Sequence, residues 1–149
     1  MDKEYERQAD ELNKLWHQML IASDFKNIEE QFPRLKGLNT TEIAVLNIVA
    51  QKEDVIIKEI VTRLNIPKST LTNVIDRLEN QKLITRVISD RDRRSYGLKL
   101  TEEGILTQQE HIAYEKKIYS KVIMSLDNYQ EREEFLKFMK KIAEGFSKC

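Results

Sequence analysis

The sequence predicts a mainly α-helical fold carrying one small β-hairpin, and three observations lead there. Glycine and proline number only four and two in 149 residues, while Leu, Ile, Lys and Glu are plentiful, a balance that favours helix over sheet. Apolar residues recur at helical spacing through most of the chain. Only between Leu83 and Leu100 does the spacing change to strand-like alternation, around the charged turn Asp90-Arg91-Asp92-Arg93-Arg94.

With 40% hydrophobic and 34% charged residues, the chain can form one ordinary domain, or a small module with an oligomerisation arm. No apolar run approaches the roughly 18 residues that span a bilayer. Met1-Asp2-Lys3-Glu4 is charged where a signal peptide needs an apolar stretch, so a soluble cytoplasmic protein with no membrane partner is expected. The one cysteine, Cys149, allows no internal disulfide and fits a reducing compartment. The net charge of zero hides an uneven distribution. Residues 1–54 carry 7 basic against 11 acidic side chains, residues 55–99 carry 10 against 5, and residues 100–149 carry 8 against 9. A basic middle third between acidic flanks suits a nucleic-acid-binding module in a neutral scaffold, and chance clustering on a solvated surface gives the same pattern.

Along the chain, residues 3 to about 30 form a long amphipathic helix with Leu12, Leu15, Trp16, Met19 and Leu20 on one stripe. At that spacing Trp16 and Met19 read as core, with a place in a ligand crevice as the alternative. Pro33 and Gly37 interrupt the pattern. Asn39-Thr40-Thr41-Glu42 then offers a capping-box start for a helix running to Lys52. Ile57, Ile60, Val61 and Leu64 mark a short helix ending near Asn65, whose start has no capping side chain beyond Asp54. After Asn65-Ile66-Pro67, a helix over 67–82 is signalled by Leu71, Val74, Ile75 and Leu78.

Two short helices joined by a tight turn make a helix-turn-helix. On a helical wheel Ser69, Asn73, Asp76, Arg77 and Asn80 point away from the apolar stripe of the second helix, with Thr70 and Thr72 at the borders. Asparagine can read adenine bidentately, arginine can read guanine, and threonine methyls can meet thymine methyls. Lys68 and the backbone N–H groups at the helix start suit phosphate. An ordinary solvated face looks the same, and helix pairs are common in folds that never touch DNA.

The segment that follows narrows the choice. Leu83-Ile84-Thr85-Arg86-Val87-Ile88-Ser89 is rich in β-branched residues, and Tyr96, Leu98 and Leu100 alternate opposite it. A lone hairpin of this size is only marginally stable, so it must pack on the preceding helices as a wing. Arg91, Arg93 and Arg94 at its tip suit a minor groove or phosphates, with Asp90 and Asp92 placed to orient them. Beyond it, Thr101 caps a helix carrying Ile105, Ile112, Ile118, Val122 and Ile123, and Asp127 starts another with Phe135, Phe138, Met139, Ile142 and Phe146 on one stripe. A two-fold dimer of the first and last helices would cover so much apolar surface, and a monomeric bundle is the alternative.

In element order and in its wing, the chain resembles the MarR family of bacterial transcriptional regulators. The family's wing commonly reads Asp-x-x-Asp-Arg-Arg before a strand ending Leu-Thr-x-x-Gly. Here Ser89 to Arg94 reads Ser-Asp-Arg-Asp-Arg-Arg and Leu100 to Gly104 reads Leu-Thr-Glu-Glu-Gly, with Ser89 at the first acidic place and Arg91 at a variable one. The stretch Lys68 to Glu79 is similar to the family's recognition helix. The resemblance implies that helix 67–82 lies in the major groove, that Arg94 enters the minor groove, and that Asp92 helps to hold the wing.

Other chemistries lack their residues. There is no GxGxxG, P-loop or CxxC, and His17 and His111 are far apart in sequence, so catalysis and a bound cofactor are not expected. His111 and Glu115, one helical turn apart with Glu110 adjacent, fall short of the three or four ligands of a firm zinc site. Cys149 is a tail thiol without a basic setting and reads as inert, with oxidant sensing as the alternative. The family's cysteine-based sensors carry a cysteine in the first helix, and this chain has none there.

The expected architecture is an N-terminal dimerisation helix and linker over 1–36, a winged helix-turn-helix over 37–100, and C-terminal dimerisation helices over 101–149. The expected function is a sequence-specific regulator binding double-stranded DNA as a homodimer, most simply a repressor. Its DNA contacts would be Lys68, Ser69, Thr70, Thr72, Asn73, Arg77, Arg91, Asp92, Arg93 and Arg94. A small-molecule effector would change the separation of the two recognition helices. The rival from another class is an architectural or protein-interaction winged helix without operator preference.

Overall fold

The computed structural model describes residues 3–22 and 30–147. Cys149 and part of the first helix's expected span, 23–29, lie outside the described residues. The chain divides into two compact units, the first ending at Tyr114 and the second starting at Glu115. In the first are α1 (Lys3–Ala22), a 3-10 turn (Pro33–Leu35), α2 (Thr40–Gln51), β1 (Val55–Ile56), α3 (Ile57–Leu64), α4 (Lys68–Asn80), β2 (Ile84–Ile88) and β3 (Tyr96–Leu100). Helix α5 (Glu102–Met124) begins there, and the second unit holds its end and α6 (Tyr129–Phe146).

The helix boundaries follow local hydrogen bonding. Asn39 Oδ1 accepts from the Glu42 N–H, while the Glu42 carboxylate accepts from the Asn39 N–H, both at 2.9 Å, which closes the expected capping box at the start of α2. Asn65 ends α3 in the left-handed region at φ 51°, where asparagine is among the better tolerated residues. Pro67 then precedes α4, fixing φ where no N–H partner is needed. Asn128, one residue later than the expected Asp127, caps α6 by accepting from the Glu131 N–H.

Leu71, Val74, Ile75 and Leu78 of α4 turn inward as their spacing predicts, meeting Val45, Leu46 and Val49 of α2 and Ile60 of α3 in one buried cluster. Complete burial of each such side chain contributes about 1.5–3 kcal/mol before entropy is counted. The hairpin pairs in register from Ile84 opposite Leu100 to Ile88 opposite Tyr96, which sends Ile84 and Leu98 into the same core.

The sheet departs from the expected two strands. Val55 and Ile56, adjacent to a helix start and easily taken as part of it, form β1 and pair antiparallel with Leu98 and Gly97 of β3. Their β-branched side chains suit an extended backbone, and β1 satisfies the edge of β3 left open by β2. The order β1-β3-β2 ties the wing to the segment just before α3.

Helix α5 meets the module through small and polar residues. Its buried positions are Gly104, Thr107 and Gln108, while Ile105 and Ile112 are 47% and 55% exposed. Small and polar residues face inward because the backbone comes very close: Thr101 Oγ1 donates to the Lys82 carbonyl and accepts from the Gly104 N–H, and the Thr101 N–H donates to the Leu83 carbonyl. Gln108 donates to Asn47 Oδ1 at 3.1 Å. Upstream, Arg34 donates to Glu103 at 2.8 Å and to Glu110 at 2.7 Å, pinning the segment after α1 to α5.

Trp16 and Met19, expected as core, are 53% and 45% exposed on α1, along with Leu12, Leu15 and Leu20. In the second unit Leu136, Phe138, Met139, Ile142 and Phe146 are exposed on α6. Among the described residues no helix is long and apolar enough to cross a membrane.

A Cβ added at Gly104 would collide with the Leu83 carbonyl oxygen. Glycine to alanine inside a helix ordinarily stabilises by about 1 kcal/mol. Here Gly104→Ala is expected to destabilise instead, by about 1–3 kcal/mol through overpacking. Urea denaturation followed by circular dichroism measures it, and an unchanged or raised midpoint would count against this contact.

Candidate nucleic-acid interface

The first turn of α4 begins without a side-chain cap, so its leading N–H groups are open to an anion. Lys68, Ser69, Thr70 and Asn73 are exposed on this helix, and among the described residues their side chains have no partner. Thr72 differs, its hydroxyl donating to the Lys68 carbonyl at 2.9 Å. Four positions of the expected reading face are therefore free to meet a ligand.

Two charged residues of the same helix are engaged inside the protein. Arg77 lies 3.0 Å from Oε1 of Glu42, a fully buried carboxylate whose other oxygen closes the α2 capping box. A buried carboxylate without a cation is costly, so Arg77 holds α4 against α2. Asp76 pairs with Arg86 of β2, which also pairs with Glu79 and sits 5.4 Å from the centre of the Tyr96 ring. The Asp76 carboxylate, first among several partners, raises the Arg86 guanidinium above its ordinary range. These contacts tie the outer strand to α4.

The wing arginines part ways. Arg91, expected at the tip as a DNA contact, folds back onto α3, its guanidinium donating to both Glu59 oxygens at 3.1 and 2.7 Å and to the Asp54 carbonyl at 2.8 Å. The physical reason is its counter-charge. Glu59 also accepts from Lys52 and from the Ile56 N–H, and these donors, Arg91 foremost, lower its carboxyl to about 2. Ser89, where the resemblance places an acid, is buried: it donates to Asp54 and accepts from the N–H groups of Arg91 and Asp92. Asp92 accepts from the Arg94 N–H at 3.0 Å and the Ser95 hydroxyl at 2.9 Å, so it shapes the backbone of the turn. Arg93 and Arg94 remain exposed, with no side-chain partner among the described residues.

The chemistry of this face is hydrogen bonding and positive charge. It offers hydrogen-bonding side chains on a rigid helix and two unneutralised guanidinium groups on a braced turn. Sequence reading found α4 and the wing, and missed Glu42, Glu59 and Asp54 as the partners that hold them. Glu59 carried a weak signal, standing three residues after Ile56 as a capping glutamate does. Among the described residues no three His, Cys, Asp or Glu side chains gather in a way that could hold a metal.

Two outcomes follow from these contacts. Glu59 titrates lower when folded than its ordinary 4.5, so its stabilisation is present above that value and disappears as pH falls toward about 2. Glu59→Gln should therefore be less stable than the unaltered chain at neutral pH, the gap closing in acid; a gap independent of pH would sink the assignment. Arg77→Ala should cost about 1–3 kcal/mol in denaturant by stranding Glu42, whereas Asn73→Ala should leave stability within about 0.5 kcal/mol.

Comparison with known proteins matches this geometry. Residues 36–95, from before α2 to the end of the wing turn, fit the model of the MarR family. The regulator MhqR of Bacillus subtilis is 38% identical over 69 residues, covering 46% of this chain and 48% of that protein. The organic hydroperoxide resistance transcriptional regulator of the same organism is 32% identical over 96 residues, covering 63% of this chain and 65% of its own length. The matched stretches thus span about half to just under two thirds of these curated relatives. The fold of Streptococcus pneumoniae FabT, solved in complex with DNA, superposes with a TM-score of 0.74 at 24% identity, over 96% of this chain and 95% of that one. Over residues 36–95, which hold its helix-turn-helix and wing, this chain is thus similar to the MarR family.

Proposed function

We propose that the chain is a transcriptional regulator that binds double-stranded DNA with sequence preference, as a homodimer, and represses from a pseudo-palindromic operator under control of a small-molecule effector. The observation that carries this reading is the outer face of α4: among the described residues Lys68, Ser69, Thr70 and Asn73 have no side-chain partner, while the charges beside them are paired. The DNA-bound FabT and the relatives named as transcriptional regulators support the same direction.

In this reading α4 lies in the major groove. Asn73 reads a base edge, Ser69 and Thr70 contact bases or sugar, and Thr72 offers its methyl. Arg93 and Arg94 meet the minor groove or its phosphates, with Asp92 keeping the turn in shape. Arg77 and Arg91 act first as braces, and any contact they make with DNA competes with Glu42 and Glu59. The exposed apolar stripes of α1 and α6 would supply the dimer contact, and the dimer would set two recognition helices about 34–36 Å apart. The segments 1–36 and 101–149 are then the dimerisation regions flanking the module at 37–100.

Fluorescence anisotropy across a salt series, on duplex from the chain's own upstream region and on unrelated duplex, tests the reading. A clear preference for the first is expected, and equal affinities would leave only an architectural module. Arg94→Ala should weaken binding and lower the salt slope by about one. Asn73→Ala should shift base preference at one position by about 1–3 kcal/mol with the slope intact. Sedimentation should give twice the chain mass.

A further inference from the structure

Some cations of the helix-turn-helix and wing are paired inside the fold and others are not. Arg77, Arg86 and Arg91 are neutralised by carboxylates of the same fold. Lys58, Lys68 and Arg94 are not, and among the described residues none of their side chains has a partner. These three come from α3, from the first residue of α4 and from the wing turn, yet they border one cleft of about 340 Å3. Ile57, Val61 and Tyr96 give it apolar walls, and no carboxylate lines it. Like charges gathered against apolar surface repel one another unless an anion joins them, and low-dielectric walls strengthen each attraction to that anion.

The position of the cleft says which anion. In a duplex, each strand's phosphate backbone is the ridge between a major groove and the adjacent minor groove. A protein with α4 in the one and its wing in the other faces that ridge with whatever lies between them, and here that is this cleft. We propose that Lys58, Lys68 and Arg94 clamp neighbouring phosphates of one DNA strand, with Lys58 as a backbone contact supplied by the first helix of the pair; this rests on the regulator reading above. The clamp carries no base information. It contributes affinity on any sequence and fixes how far α4 and the wing straddle the strand. A pocket for a free phosphorylated molecule would share the chemistry, but an open cleft between two proposed groove-reading elements fits a continuous backbone better.

The test is anisotropy of the full chain on its own upstream duplex and on a scrambled duplex, across a salt series. Lys58→Ala is expected to weaken both duplexes by the same factor and to lower the slope of log K against log salt by about 0.9, the value for one phosphate contact. Lys58→Arg should keep the slope, and Lys137→Ala on α6 should change neither quantity. Thermal unfolding of Lys58→Ala should match the unaltered chain, since among the described residues the exposed side chain makes no hydrogen bond or ion pair. A Lys58→Ala variant with unaltered slope and affinity overturns the clamp, as does a Lys137→Ala variant that loses as much. Saturable binding of inorganic phosphate that Lys58→Ala abolishes, with duplex binding untouched, assigns the cleft to a small anion and overturns it too. If the unaltered chain holds neither duplex at any salt, the regulator reading falls, and the clamp with it.

Discussion

Asp54 occupies left-handed backbone at φ 50°, and through it the turn between α2 and β1 is joined to the wing. Its carboxylate takes the Ser89 hydroxyl and the Arg91 N–H, while its carbonyl takes the Arg91 guanidinium. A two-residue strand and a hairpin of two five-residue strands are weak by themselves. Linked through Asp54 and the β1-β3-β2 order, they become one sheet whose inner side chains complete the core beneath α4. The position of the wing relative to the helix pair depends on that joint, and so does the width of the space between α4 and the wing turn.

Charge in this module serves two ends. Carboxylates at Glu42, Glu59, Asp76 and Glu79 each meet an arginine, and each pair connects two different elements. Exposed ion pairs contribute little individually, so their main effect is geometric: they fix orientation where apolar packing alone would allow sliding. Among the cations left over, Lys58, Lys68, Arg93 and Arg94 lie at the start of α4, in the cleft and on the wing turn. A chain with no net charge thereby presents a locally basic face.

Much of this was legible from the sequence because it is periodic. Leu71, Val74, Ile75 and Leu78 announce a helix and its buried side, and the alternation at Tyr96, Leu98 and Leu100 announces a strand. What periodicity cannot carry is pairing at a distance. Glu42 lies 35 residues before Arg77 and Glu59 lies 32 before Arg91, so both arginines looked free when only their own helix or turn was in view. Val55 and Ile56 were hidden for another reason, since two apolar residues beside a helix start look like its first turn until the edge of β3 is known. The approach of helix α5 to the module is made by Gly104 and Thr107, which no hydrophobicity pattern picks out.

The two sides of α4 have different evolutionary freedom. Its inner residues are bound to the core, and Asp76 and Arg77 are bound to partners on other elements, so change there must be matched elsewhere. The side chains of Ser69, Thr70 and Asn73 have no partner among the described residues. If α4 reads DNA as proposed, substitution at these three positions would alter what the helix recognises while leaving stability nearly constant, and duplicated copies of such a chain would acquire new targets without first acquiring a new scaffold.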